Sequence, residues 1–192
     1  MRPAVLLVAI MSLAAQALFS QEIDAHVLPS EGAGTPGGRR VSATVRGIGD
    51  RVVLEPLGSG LKSEIEFVLR QYEESRGFGA VLGDRLIGEE RHVYVVQWDP
   101  FSEEYVLHRL EEGERVLETR YRESGELLAD FFSTEDMRVP QADTGGESYL
   151  LMQARIQPVR FVPALGILAI LLPDDTVSTP WTRVPLSEAA EP

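Results

Sequence analysis

Over most of the chain, apolar side chains recur at every second position. Val41, Ala43 and Val45 alternate with Ser42, Thr44 and Arg46, and Gly47-Ile48-Gly49-Asp50 then supplies turn chemistry before Arg51-Val52-Val53-Leu54. A period of two puts alternate residues on one face of a strand, so this stretch predicts two short strands joined as a hairpin. Ile65, Phe67 and Leu69 repeat the pattern against Glu64, Glu66 and Arg70. They predict a half-buried strand, with a helix as the alternative because Glu, Leu, Arg and Gln are also good helix formers. Leu82 to Ile87 and Arg91 to Trp98 read as two further strands, the second carrying the β-rich run Val93-Tyr94-Val95-Val96.

Asp99-Pro100-Phe101-Ser102 interrupts that run. Proline has no amide proton to give to a ladder, and the Asp side chain before it can cap the turn. Tyr105-Val106-Leu107 resumes the alternation and Arg115 to Tyr121 forms a third strand, so the region predicts a three-stranded meander. With Trp98 facing Tyr105, paired residue numbers sum to 203, which sets His108 opposite Val95 and His92 opposite Glu111. Leu127, Leu128, Phe131 and Phe132 change to helical spacing, with Ser124 placed to cap a short helix. Tyr149 to Ile156 is extended again after a polar loop at Gln141 to Glu147. These elements predict a mainly β fold, an antiparallel β-sandwich-like single domain with one short helix; a β-rich α+β domain is the alternative.

The two ends of the chain follow other patterns. Residues 1–20 have a basic start at Arg2, an apolar run from Ala4 to Leu13, and small residues up to Ser20. Those are the parts of a secretory signal peptide, with cleavage after Ala17 or after Ser20. An uncleaved inner-membrane anchor is the alternative, although Ala4 to Phe19 falls short of the ~20 residues that span a bilayer. Pro29 to Gly38 is rich in Gly and Pro, so residues 21–39 read as a flexible linker, 40–186 as the domain and 187–192 as a tail. Phe161 to Leu172 is a run of twelve uncharged, mostly apolar residues, too short to span a membrane. It reads either as buried core or as an exposed binding face.

Charge narrows the partners. The 192 residues carry 30 acidic and 18 basic side chains, and removal of Arg2 with the leader takes the net charge from −12 to 17 − 30 = −13. Phosphate recognition needs a basic face, so nucleic acid is excluded as a partner. The absence of cysteine excludes disulfides, thiol nucleophiles, cysteine-held metals and a lipid-modified cysteine anchor. No Gly-x-Ser-x-Gly elbow, phosphate-binding loop, His-Glu-x-x-His or EF-hand spacing occurs. The carboxylate doublets, Glu73-Glu74, Glu89-Glu90, Glu103-Glu104, Glu111-Glu112 and Asp174-Asp175, read as solvated turns and strand ends. Neighbours on a strand point to opposite faces, so a doublet cannot converge on one substrate.

His92 and His108 read as surface or salt-bridged side chains rather than metal ligands, and the Asp99–Glu104 loop offers oxygen atoms that calcium could use. No catalytic residue, cofactor or metal site is assigned. The candidate interaction surface is Trp98, Asp99, Phe101, Tyr105, Phe161, Leu165, Leu168 and Trp181.

Gly60-Leu61 with Ile65-x-Phe67, Val95-x-x-Trp98-Asp99 with Tyr105-x-Leu107, and a late Leu172-Pro173 with Trp181 resemble an exported bacterial family. It is the domain-of-unknown-function family numbered 4390, and the resemblance covers Arg40 to Leu186. It implies a secreted single domain and brings no active-site residues. The function these readings predict is that of an exported, non-catalytic periplasmic or cell-envelope binding module, whose partner is an envelope protein or an apolar ligand. A hydrolase of envelope glycans or peptides is the alternative, and a carrier of a lipid or other apolar ligand is a further one.

Overall fold

Among the described residues, ten strands and two short helices form two sheets packed face to face. A computed structural model describes residues 21–28, 39–75, 83–111, 113–139, 147–159 and 176–184. The strands are β1 (Glu22–Leu28), β2 (Arg40–Arg46), β3 (Lys62–Glu73), β4 (Arg85–Asp99), β5 (Glu104–Glu111), β6 (Glu114–Tyr121), β7 (Ser133–Arg138), β8 (Ser148–Val159), β9 (Val177–Ser178) and β10 (Thr182–Val184). The helices are α1 (Arg51–Gly58) and α2 (Ser124–Phe131). The large sheet has the order β10-β8-β3-β4-β5-β6, with β9 also pairing β8, and the small one has the order β1-β2-β7. Every pairing is antiparallel. The fold is thus the mainly β, sandwich-like domain that the alternation predicts.

β3 is the spine, paired along its length with β4 on one side and β8 on the other. Ile65, Phe67 and Leu69 are fully buried on its inner face, beside Tyr94 and Val96 of β4 and Met152, Ala154 and Ile156 of β8. Ile23, Val41, Val45 and Met137 close the core from the small sheet. Side chains that alternate on both inner faces fill a layer of about 10 Å between the sheets. On the outer face, Glu66, Arg70, Glu89 and Arg91 link into a chain of ion pairs.

Several expectations are corrected. Residues 22–28, assigned to the linker, form β1 and pair with β2 from Glu22↔Arg46 to Leu28↔Arg40. Ile23 and Ala25 are buried there, so their alternation has a partner face that the flanking glycines conceal. Residues 51–54 are helical, not the second arm of a hairpin. Val53 and Leu57, four positions apart, are the buried pair of α1, and packing of that stripe overrides the strand preference of Val-Val-Leu. The described residues therefore form two short helices, and α2 is the one that helical spacing predicts. Residue 123, not Ser124, occupies the capping position of α2, without a side-chain cap. The two strands expected from Leu82 to Trp98 are a single one, β4, from Arg85 onward. The leader, residues 29–38, the Phe161 to Leu172 run and the 187–192 tail lie outside the described residues.

Candidate functional site: a groove on the open flank

The two sheets differ in width, and the site follows from that mismatch. β1 lies against β8 and β10, and β7 lies against β4. The inner faces of β5 and β6 therefore extend past the last strand of the small sheet, and α2 covers only part of them. The uncovered strip is a groove of about 290 Å³. Its floor is Tyr94 of β4, Leu107 and Arg109 of β5, and Leu117, Thr119 and Tyr121 of β6. Its walls are Ser133, Glu135 and Asp136 of β7 and Asp130 of α2.

Local sequence shapes both edges. The β5–β6 register shifts so that Leu110 pairs Arg115 while Arg109 pairs Leu117, leaving Val116 as an extra, bulged residue. Val116 and Leu117 are consequently 51% and 56% exposed, large apolar side chains on an otherwise charged edge strand. β7 bulges too: Thr134 pairs Ala43 and Met137 pairs Val41, and Asp136 takes φ +61° to accommodate the extra residue. That φ is tolerated by Asp better than by most side chains.

Beneath the groove lies a buried polar cluster that ties the sheets together. His92 Nδ1 and Tyr94 Oη meet the Thr134 hydroxyl at 2.9 and 3.1 Å, joining β4 to β7. Arg109 Nη2 donates to His92 Nε2 at 3.1 Å and pairs with Glu111 at 2.9 Å, while its buried Nε has no partner. Glu90 Oε1 stands 3.6 Å from the same imidazole nitrogen. Burial first, and the Arg109 charge second, lower His92 to a pKa of about 4. Burial also raises the Glu90 carboxyl, with Glu111 adding to the effect and Arg138 and Arg109 opposing it.

A hydroxyl, an imidazole and a carboxylate in this order resemble a nucleophile with its base. The geometry works against that use. A triad imidazole must become cationic with a carboxylate's support, but this one has a guanidinium on its second nitrogen. Thr134 is also closed off at 2% exposure. The trio is a structural tie.

The rim is acidic. Tyr121 Oη donates a short hydrogen bond to Asp130, and burial followed by that carboxylate holds the phenol protonated far above its usual range. Asp136 pairs with Arg40 at 3.1 Å, whereas Glu135 is exposed and has no hydrogen bond or ion pair with any described residue.

Of the residues predicted as an interaction surface, Trp98, Asp99, Phe101 and Tyr105 share one hairpin, in which Tyr105 pairs Tyr121 at one end of the groove floor, while Trp181 lies apart from them. Trp98, one residue before the end of β4, is 37% exposed, with its ring 4.7 Å from that of Tyr105. Phe101 is 98% exposed at the hairpin tip, and Asp99 caps that turn by accepting from Phe101 N and Ser102 Oγ at 3.0 and 2.9 Å. Trp181 lies under the Arg70 guanidinium at 4.7 Å. Ser63 pairs Val96 near Trp98, so Arg70 and Trp98 are separated by at least seven residues of strand, roughly 23 Å. Phe161, Leu165 and Leu168 lie outside the described residues.

The carboxylates and histidines are also re-placed. Glu89 and Glu90 sit inside β4 rather than at a turn, and they diverge as strand neighbours must, Glu89 to Arg70 and Arg91, Glu90 towards His92. The expected 203 register holds, with Val95 opposite His108, but both histidines are buried, not superficial. Carboxylates of the Asp99–Glu104 loop face Arg120 and Arg122. No group of three potential metal ligands occurs among the described residues.

A second trough of about 510 Å³ crosses the outer face along Glu66, Gln153, Arg155, Gln157, Thr176 and Ser178. Its long side chains already bind one another or the backbone: Gln153 donates to Thr179 O, Arg155 to Gln153, Gln157 to Glu64, and Arg91 to Glu66. No protein-family model, curated protein or solved structure matches the chain. No helix among the described residues is long and apolar enough to cross a membrane.

Alternation does not identify the groove, because its walls come from β7 and α2 and its floor from β5 and β6. One local signal points to it: Val116-Leu117, adjacent apolar residues in a strand of charges.

Proposed function

We propose that this chain is an exported, non-catalytic interaction module of the cell envelope, and that it binds its partner in the flank groove. The observation that carries the reading is the uncovered strip of inner sheet, with Leu117 more than half exposed in its floor. Burial of an apolar surface drives association, and isolated large apolar residues on an edge strand mark such surfaces. The leader-like residues 1–20 and the resemblance to the exported family numbered 4390 support the location. The groove's volume sits at the lower limit of small-molecule pockets and opens along a flank, which favours a docked partner over an enclosed apolar cargo.

Site-specific photo-crosslinking in the producing cells tests this. A photoreactive residue at Leu117 or Glu135 is expected to capture one discrete partner, whereas the same residue at Phe101 or Gln157 is not. Absence of an adduct from both groove positions overturns the reading. Terminal sequencing of the secreted form checks export, with Leu18 or Gln21 as the expected first residue.

A further inference from the structure

The groove has the shape of a missing strand. β1, β2 and β7 cover the large sheet from β10 to β4, and among the described residues the next place in that layer, beside β7 and above β5 and β6, is filled only in part, by α2. Among the described residues β7 pairs only β2, so its far side presents unpaired main-chain donors and acceptors to the groove. Neighbouring strands lie about 4.8 Å apart and stacked sheets about 10 Å apart, so the part of β5 and β6 that α2 leaves open has the width for one added strand.

We propose that the occupant is an extended segment of another protein, added as a fourth strand along the Ser133–Glu135 side of β7, with alternating apolar and basic residues. This rests on the groove being the binding site. Main-chain bonds to a free edge supply affinity in such strand addition, and alternate side chains supply specificity. Side chains facing down meet Leu107 and Leu117, which calls for apolar residues at every second position. Charge selects the remainder. Among the described residues, Asp130 is engaged only by the neutral Tyr121 hydroxyl and Glu135 by nothing, while the one floor cation, Arg109, is paired with Glu111. The groove therefore carries uncompensated negative charge within a chain of net charge −12, and a lysine- or arginine-bearing strand matches both. A second copy of this chain is a poor match, being acidic itself at net charge −12.

The test uses the full chain and a labelled ten-residue peptide of alternating valine and lysine, followed by fluorescence anisotropy and backbone NMR. The lysine peptide is expected to bind about tenfold tighter than a valine–glutamate counterpart, and Glu135→Lys or Leu117→Glu to weaken it about tenfold. Both substitutions are at exposed positions, so unchanged thermal unfolding shows that the fold persists. N-methylation of the peptide amides on the β7-facing side is expected to abolish binding, and methylation of the opposite set to be tolerated. Amide shifts are expected along β5, β6 and β7.

Equal binding of lysine and glutamate peptides, tolerance of both methylation sets, shifts confined to the outer face, or no binding at all overturns the inference. A concentration-dependent dimer that blocks peptide binding overturns it in favour of a second copy. Failure of the peptide while Leu117 still crosslinks a partner removes strand addition and leaves the binding reading standing. Failure of the crosslinking itself removes the binding reading.

Discussion

In the large sheet, β3, β4, β5 and β6 are neighbours both in the chain and in space, whereas the small sheet joins β1 and β2 to β7, with Arg40 and Asp136 paired across 96 residues. The large sheet is built from long strands buried on one face, such as β3 with Ile65, Phe67 and Leu69. The small one is built from strands of six or seven residues whose inward side chains mix large apolar ones, Ile23, Val41 and Met137, with small or polar ones, Ala25, Ala43 and Thr134. The difference is a division of labour. Local hairpins make a rigid platform cheaply, because short loops cost little closure entropy. The remote second layer stops short of the platform's width, and that shortfall is what leaves a groove.

The largest test of this contrast is truncation of each core. Phe67→Ala, at the fully buried centre of the platform, is expected to cost about 4 kcal/mol, and Ile23→Ala in β1 about 3 kcal/mol, by chemical denaturation. A null effect at Ile23 would return residues 22–28 to a linker and reduce the small sheet to two strands.

Acid should act first where the sheets meet. The unfolded chain protonates His92 near 6.5, while the folded state resists until about 4. Between those values the unfolded state binds more protons, so stability is complete above about pH 6.5 and falls by up to about 3 kcal/mol as the pH drops to 4. His92→Gln is expected to flatten that slope when unfolding is followed across the same window. An unchanged slope would place the acid sensitivity elsewhere.

Removing the tie without touching the imidazole is a smaller change. Thr134→Val strands the Tyr94 hydroxyl and His92 Nδ1 and is expected to cost about 2 kcal/mol, with amide exchange rising in β7 more than in β3. Equal protection loss in both strands would mean that the sheets open as one unit. Smallest of all is Phe101→Ser at the hairpin tip, expected to stay within about 0.5 kcal/mol in thermal unfolding because the ring touches almost nothing.

The platform was largely legible along the chain. β3 alternates clearly, β5, β6 and β8 read as extended, and the 203 register follows once Trp98 is set opposite Tyr105 across the Asp99-Pro100 turn. The second layer was not. β1 is hidden before a Gly- and Pro-rich stretch, and β7 reads Ser-Thr-Glu-Asp-Met-Arg, with only Thr134 and Met137 turned inward across a bulge. α1 has the residues of a strand and takes helical form because Val53 and Leu57 bury together and Ser63 Oγ bonds the Val53 carbonyl at 3.1 Å. Of the candidate site, the chain by itself marked only the hairpin whose Tyr105 pairs Tyr121 at one end of the groove, and Val116-Leu117 went unremarked in the strand pattern.

By itself, the order of apolar and polar residues determined that this is an antiparallel β domain with its acids outside and no thiol chemistry. Period-two burial and turn residues act within a few positions, and they need no knowledge of what lies across the core. Tertiary structure decided which strands meet from a distance, which histidines are buried, and how far one sheet covers the other. Those outcomes depend on the area two faces can bury against each other, a property of pairs of surfaces that no single segment carries. The groove is such a property: two strands of platform that, among the described residues, the small sheet does not reach and α2 covers only in part.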